Sequence, residues 1–478
     1  MDSKLFVLVP ALLVLAGCAT SAPQAALPVV QSQLATRADH IVASWPLTAD
    51  ELARSETAVG ELLYHDLRPE TAVRIALLNN RALRTTFEEL GLSQAALAAA
   101  TRLTNPSFDA SVRWPDNAPR GPNVDFGIAL PLLEALLLPA RRGIAEAQLL
   151  AVQYRVSHEV LALVAAVRSA TYGTLSQEEL HRLGAEIAAT TAAAAEFAER
   201  QFTAGNISRL DLLRFQVAAQ QSQVELAQAE AALFVSREQL SALLGLTMAQ
   251  SHWKLAGQLP RLPLRDDLPA DLESIARAQR LDLAARRAEA TLTAEAFAFK
   301  QRTRFLPVAL DLGVNTERES SGDRLTGPTF AAQLPIFDQG QPERARLASS
   351  ARQAAELAAA LEATIGSEVR TARAMLAAAR QAASFQEESF VPLKTAALQE
   401  TLLHYNAMQV SVYVLLEAKQ AEQTALLQSI EARRDYWLAR VELERALGQR
   451  LPETASVATG VDSLPGPAPL APPMHAHH

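Results

Sequence analysis

Cys18 is the only cysteine among 478 residues, and its neighbours define the chemistry open to its thiol. It follows Leu15, Ala16 and Gly17, after an apolar stretch from Leu5 to Leu15 and the positive charge of Lys4. A basic start, a short apolar run and a small-residue cleavage site make residues 1–17 a secretory signal peptide, too short to span a bilayer. Leu-Ala-Gly-Cys also has the form of a bacterial lipobox, in which the thiol receives a diacylglycerol and the chain is cut just before it. Ala19, where an aspartate would retain the chain at the inner membrane, points to sorting to the outer membrane. With a single thiol, neither a disulfide nor a cysteine-based metal site is expected.

The other cluster of reactive side chains lies at the opposite end, in Met474, His475, Ala476, His477 and His478. Imidazole and thioether suit soft or borderline metals such as copper, which makes His475, His477 and His478 candidate ligands. The chain lacks a phosphate-binding P-loop, a G-x-S-x-G elbow, an H-E-x-x-H helix and a C-x-x-C pair, so neither an enzyme nor a resident cofactor is expected. With 44 Lys and Arg against 52 Asp and Glu, the net charge is −8. That balance argues against a nucleic-acid surface, which needs clustered cations.

Hydrophobic residues reach 49% while aromatics reach only 5%. Much of the difference is alanine, the strongest helix former. Beyond the N-terminus no apolar run of about 20 residues occurs, so no internal transmembrane helix is expected. The pattern reads twice, as repeats over 61–245 and 272–448. The first opens with a helical run over 61–104, its stripe formed by Val73, Ala76, Leu83, Phe87, Leu90 and Leu97. A hairpin over 106–131 follows. Phe108, Ala110, Val112 and Trp114 share one strand face, and Val124, Phe126, Ile128 and Leu130 another, around a turn rich in Pro, Asp and Asn. Pro139 precedes a long helix from about Arg141 to Gln201, then a return helix ending in Ala-Leu-Leu-Gly at 242–245.

The second repeat gives a helix ending at Leu306-Pro307 and a hairpin over 307–335. Val308, Leu310, Leu312 and Val314 alternate on one strand, and Phe330, Ala332 and Leu334 on the other. A helix with Pro342 in its first turn runs to about Tyr405, with a kink expected at Pro392, and Arg-Ala-Leu-Gly at 445–448 closes the repeat. Residues 18–60 form a lipidated N-terminal segment, 246–271 a proline-rich linker, and 449–478 a flexible tail.

Helices of about 60 residues reach about 90 Å, which suits coiled-coil packing. The four strands are long enough to cross an outer membrane when tilted. Four strands cannot close a barrel, and open edges cannot stand in lipid. The chain must therefore take strands from copies of itself, and three copies supply twelve. The alternative is two soluble hairpins packed on helices.

At the helix–helix turns the residues form a motif. The first reads Phe202, Gly205, Ser208, Asp211, Leu212, Leu213, and the second Tyr405, Met408, Ser411, Val414, Leu415, Leu416. Gly205 suits a helix stop, Ser208 an N-cap, and Asp211 the third helical position, where a negative charge meets the helix dipole. With Leu-Pro-Ile-Phe-Asp at 334–338, its partner Pro131 and the duplicated plan, the chain resembles the TolC-type outer-membrane efflux proteins over nearly all its mature length. The second turn departs from that pattern, with Met408 replacing Gly and Val414 replacing Asp.

The resemblance implies a mainly α protein with membrane β-structure, a homotrimer whose twelve-stranded outer-membrane barrel continues into a long periplasmic α-helical barrel. It implies outer-membrane lipid around the strands, and as partners a periplasmic adaptor and an inner-membrane transporter. Phe202, Gly205, Ser208, Tyr405, Met408 and Ser411 would be adaptor-docking tips. Asp211, Arg214 and Glu417 would line the aperture, with Arg214 and Glu417 approaching one another within or between protomers. The implied function is the exit channel of a tripartite efflux system, passing heavy-metal ions, copper first. Drug or small-molecule efflux and a type I secretion duct are alternatives. A rival of another class is a lipid-anchored coiled-coil scaffold that transports nothing.

Overall fold

The computed structural model describes residues 23–37, 43–114, 116, 121–250, 252–307 and 309–452. Cys18 and the histidines at 475, 477 and 478 lie outside the described residues, as does Val308. The chain opens with α1 (Leu27–Ala35), α2 (Ala49–Leu63), α3 (Pro69–Asn79) and α4 (Arg81–Ala100). The hairpin β1 (Ser107–Arg113) and β2 (Asn123–Pro131) leads into α5 (Leu132–Thr203) and the return helix α6 (Arg209–Leu244). After a connection, the order recurs: α7 (Leu272–Gln279), α8 (Leu281–Arg302), β3 (Leu310–Arg318), β4 (Arg324–Ala332), α9 (Gln341–Phe385), α10 (Val391–Asn406) and α11 (Val412–Leu447).

The helix expected over 61–104 is broken. Pro69 stands in the first turn of α3, where a missing N–H costs nothing. Between α3 and α4, Asn80 leaves helical space at φ −65° and ψ 116°, and its side chain caps α4 by accepting from the Leu83 N–H at 2.9 Å. Arg280 breaks α7 from α8 with nearly the same angles, φ −67° and ψ 119°. Each break receives a glycine from the end of a return helix. Gly245 and Gly448 have φ of +69° and +73°. A Cβ on Gly245 would lie 2.7 Å from the Asn79 carbonyl oxygen, and one on Gly448 3.0 Å from the Arg280 Cα. The Asn79 amide donates to the carbonyls of Leu244 and Gly245, which fixes the first contact. The two Leu-Gly endings therefore answer two backbone breaks.

Three further boundaries differ from the sequence expectation. Helix α5 starts at Leu132, directly after β2, and carries Pro139 inside it. The stretch 246–271 is a packed strap, with Trp253 and Leu259 each 2% exposed and Leu255 paired in a parallel bridge with Leu67. At the C-terminal end the fold continues to Pro452: Leu451 is buried, and the Arg450 N–H donates to the Arg37 carbonyl at 3.0 Å. The kink expected at Pro392 takes the form of a π-helical turn, Gln386–Phe390, with the proline in the first turn of α10.

Two apolar cores hold these pieces together. One surrounds the middle of α5, where Val156, Val160 and Val167 meet Leu83, Phe87 and Leu90 of α4 and Leu240 and Leu244 of α6. A stretch of α5 is long and apolar enough to cross a membrane by length and composition alone, and 44% of it is buried inside the protein. The other core joins Ile365, Val369 and Leu376 of α9 to Tyr436, Leu443 and Leu447 of α11. The strap links them through Asp266, whose carboxylate lies 3.1 Å from both Arg380 and Arg440 and accepts from the Tyr436 hydroxyl at 2.6 Å. Burial first, then the Asp266 contact, pushes the Tyr436 phenol up to about 12.

Candidate functional site: a two-faced sheet and two helical ends

The two hairpins join in one antiparallel sheet, in the order β1-β2-β3-β4. Pairing of Phe126 with Ala110 and Thr316, and of Ile128 with Phe108 and Val314, aligns the apolar residues on one face. Leu130 pairs with Leu312, which pairs with Phe330. Phe126, Ile128, Leu130, Leu312, Val314 and Phe330 are all exposed, between 46% and 68%. Phe108 and Phe126 stack across the strands at 6.3 Å. Among the described residues nothing covers this apolar face.

The opposite face is mostly polar. Asp109, Ser111 and Arg113 of β1 stand beside Asn123 and Asp125 of β2 and Asp311, Asn315 and Glu317 of β3. The Asn123 amide donates to Glu317 at 2.6 Å, and Arg113 lies 3.6 Å from the same carboxylate. Gly127 and Gly313 are the only two buried positions of the sheet, and both lie on this face. A Cβ on Gly127 would collide with the Asp109 carboxylate, and one on Gly313 would come within 2.6 Å of the Ile128 carbonyl. Glycine at these two positions lets neighbouring groups approach the backbone closely. Among the described residues β1 and β4 each have one neighbour only, which leaves both outer edges of the sheet open.

At the far end, the α5–α6 and α10–α11 turns pack against each other. Phe215 and Tyr413 lie 5.3 Å apart, within a small core of Ala198, Leu212 and Phe215 edged by Phe202 and Val412. Gly205 turns the chain at φ +77°. Ser208 caps α6 and Asp211 completes a capping box, each bonding the other's backbone. In the second turn Met408 takes φ +58°, a left-handed conformation that costs a residue with a side chain about 1–3 kcal/mol. Ser411 makes no side-chain cap there: the Val414 N–H donates to the Ser411 carbonyl at 3.1 Å, and Val414 has no carboxylate to return a bond to the Ser411 backbone.

Asp211, Arg214 and Glu417 do not meet as a set within the chain. Arg214 lies 3.9 Å from Asp211, three residues before it on the same helix, and 5.9 Å from the centre of the Tyr413 ring. Glu417 is exposed and makes no ion pair with Arg214, whose guanidinium is held locally by its own helix. Of the two arrangements expected for this pair, the contact within one chain is absent. Tyr413, absent from the sequence motif, joins the group: burial, then the neighbouring Asp211 charge, raises its pKa. Its signal was an aromatic two residues beyond Ser411, placed to meet Phe215. Among the described residues, no three His, Cys, Asp or Glu side chains converge to hold a metal.

The outer membrane efflux protein family model matches residues 72–246, from α3 to the end of α6. The cobalt-zinc-cadmium resistance protein CzcC of Cupriavidus metallidurans is 26% identical over 408 residues, covering 83% of this chain and 89% of CzcC. Among solved structures, the Campylobacter jejuni CmeC outer membrane channel matches with a TM-score of 0.69 at 16% identity, over 81% of this chain and 87% of that one. CusC matches at 0.65 and 18%, over 80% and 92%. The open state of the Neisseria gonorrhoeae MtrE channel matches at 0.66 and 17%, over 80% and 89%.

Proposed function

We propose that this chain, which belongs to the outer membrane efflux protein family, exports heavy-metal ions as the exit channel of a tripartite system. The channel role belongs to the family, whose members are trimeric conduits without catalytic chemistry, working with an adaptor and an inner-membrane pump. The observation that carries it is the sheet. Its apolar face is bare, its opposite face is polar, and among the described residues its two outer edges are open. Three such sheets close into twelve strands with lipid outside and water within. A scaffold that transports nothing has no use for an uncovered apolar sheet.

The metal cargo rests on two supports. The relative CzcC is named for cobalt, zinc and cadmium resistance. On the inner face, Asp109, Asp125, Asp311 and Glu317 outnumber Arg113, which favours cations along the conduit. A strain lacking the chain should become sensitive to cadmium, zinc or copper salts and regain resistance on complementation. Sensitivity to drugs alone would make small-molecule efflux the cargo class.

The ends formed by Phe202, Gly205, Ser208, Tyr405, Met408 and Ser411 dock the adaptor in this reading. Arg214 and Glu417 meet between protomers beside Asp211 and narrow the entrance. Arg214→Glu and Glu417→Arg should each raise single-channel conductance, and the double swap should restore it. Cys18 carries the lipid anchor, so Cys18→Ser should lose acyl label, and label retained on that variant would remove the anchor.

A further inference from the structure

The two helical ends share a backbone and differ in surface. In the first, the Gly205 N–H donates to the Phe202 carbonyl and the Asn206 N–H to that of Gln201, both at 2.9 Å. In the second, the Met408 N–H donates to Tyr405 and the Gln409 N–H to His404, again both at 2.9 Å. This is the same helix stop, built twice around a left-handed residue. A Cβ on Gly205 would meet nothing within 4 Å, so the first turn has room for a side chain and carries none. The second carries methionine, 95% exposed, in a conformation that glycine would hold at less cost.

The surroundings differ as sharply. Glu199, Arg200, Arg209 and Asp211 flank the first turn, whereas residues 401–416 contain no Asp, Glu, Lys or Arg. The Phe215–Tyr413 contact places both turns at one end of the protomer. A trimer therefore offers its partner three bare, charged turns and three uncharged turns topped by a thioether. Backbone strain survives where the side chain it carries is put to use, and an unbranched thioether adapts to irregular apolar surfaces.

We infer that Met408 is a specificity-determining contact for the adaptor, its side chain entering an apolar socket on the partner, while the Gly205 turn is read through its bare backbone and the Arg209 and Asp211 charges. This rests on the reading of both turns as docking ends. The full-length trimer in detergent is titrated against the immobilised adaptor of its own export system, as wild type, M408G, M408L and R209A, with thermal unfolding of each. M408G relieves the left-handed strain, so it should melt no lower than wild type, yet bind the adaptor about tenfold more weakly. M408L should stay within about threefold of wild type. The M408G deficit should be alike at low and high salt, whereas the R209A deficit should shrink as salt screens it. Wild-type affinity for M408G overturns the inference. Wild type failing to bind the adaptor at all overturns the docking reading instead.

Discussion

Phe126→Arg puts a charge where the sheet is most apolar. β2 is nine residues long, about 30 Å of strand, or roughly 20 Å of height at a tilt near 45°. Phe126 is one residue from its centre and so sits close to the bilayer midplane. A guanidinium there costs about 2–4 kcal/mol. The lost stacking on Phe108, at 6.3 Å, adds about 1 kcal/mol. Three copies bring the charge term alone to roughly 6–12 kcal/mol, comparable with the whole stability of an ordinary fold. Heat-modifiable trimer in the outer-membrane fraction should disappear. Asp125→Asn changes the adjacent residue on the opposite face, beside Ser111 and Glu317, and should assemble at wild-type yield. If both variants assembled equally, or if only Asp125→Asn failed, the orientation assigned to the sheet would be wrong.

Asp266→Ala should lower the thermal midpoint through a loss of about 1.5–3 kcal/mol, since it removes the carboxylate shared by Arg380, Arg440 and the Tyr436 hydroxyl while Arg380 keeps the Pro263 and Leu264 carbonyls and Arg440 keeps Glu444 and the Pro452 carbonyl; an unchanged midpoint would show that the strap holds without its ion pairs. Gly245→Ala and Gly448→Ala should each cost about 1–3 kcal/mol, because both glycines are left-handed and meet backbone within 3.0 Å. Gly205→Ala, left-handed in open space, should cost less, and equal losses at all three would contradict the docking of helix ends into the α3–α4 and α7–α8 breaks. Burial pushes the Asp282 carboxyl upward, but the Arg280 hydrogen bonds and charge outweigh it and leave the pKa lowered. Its stabilisation is therefore present above the unfolded carboxylate value of about 3.9 and is lost as pH falls through the lower folded value. The melting difference between wild type and Asp282→Asn should hold at neutral pH and shrink below about pH 4, and a difference independent of pH would refute the pairing.

Periodicity carried the strands and the long helices because each face has one solvent. The alternation of Phe126, Ile128 and Leu130 with Asp125, Gly127 and Ala129 states both the strand and its two environments. The same logic failed at Asn80. A single residue stepping out of a helix leaves the apolar stripe almost in phase, so Val73 through Leu97 read as one helix. The missing information lay far along the chain, in the glycines at 245 and 448 that fill the two breaks. The strap was lost for a related reason. Prolines at 260, 263 and 269 read as linker, while its anchors, Trp253, Leu259 and Asp266, are single residues without a period. Tyr413 was hidden because a motif copied from the first turn contains no residue there.

The two repeats also show which features a duplication keeps. Both retain the helix break, the left-handed glycine that fills it and the stop at the far turn, because each is a backbone requirement that few residues satisfy. They diverge where side chains face outward. The first far turn keeps its capping box through Ser208 and Asp211, whereas the second has lost the carboxylate at Val414, bears strain at Met408 and lies below the π-turn at 386–390. In the single chain α10 buries no residue at all, while α5 runs unbroken over 72 residues. Loss of caps, strain and sparse burial each lower the cost of local opening. The second pair of helices is therefore held less by its own chain than the first, and depends more on whatever packs against it in the assembled channel.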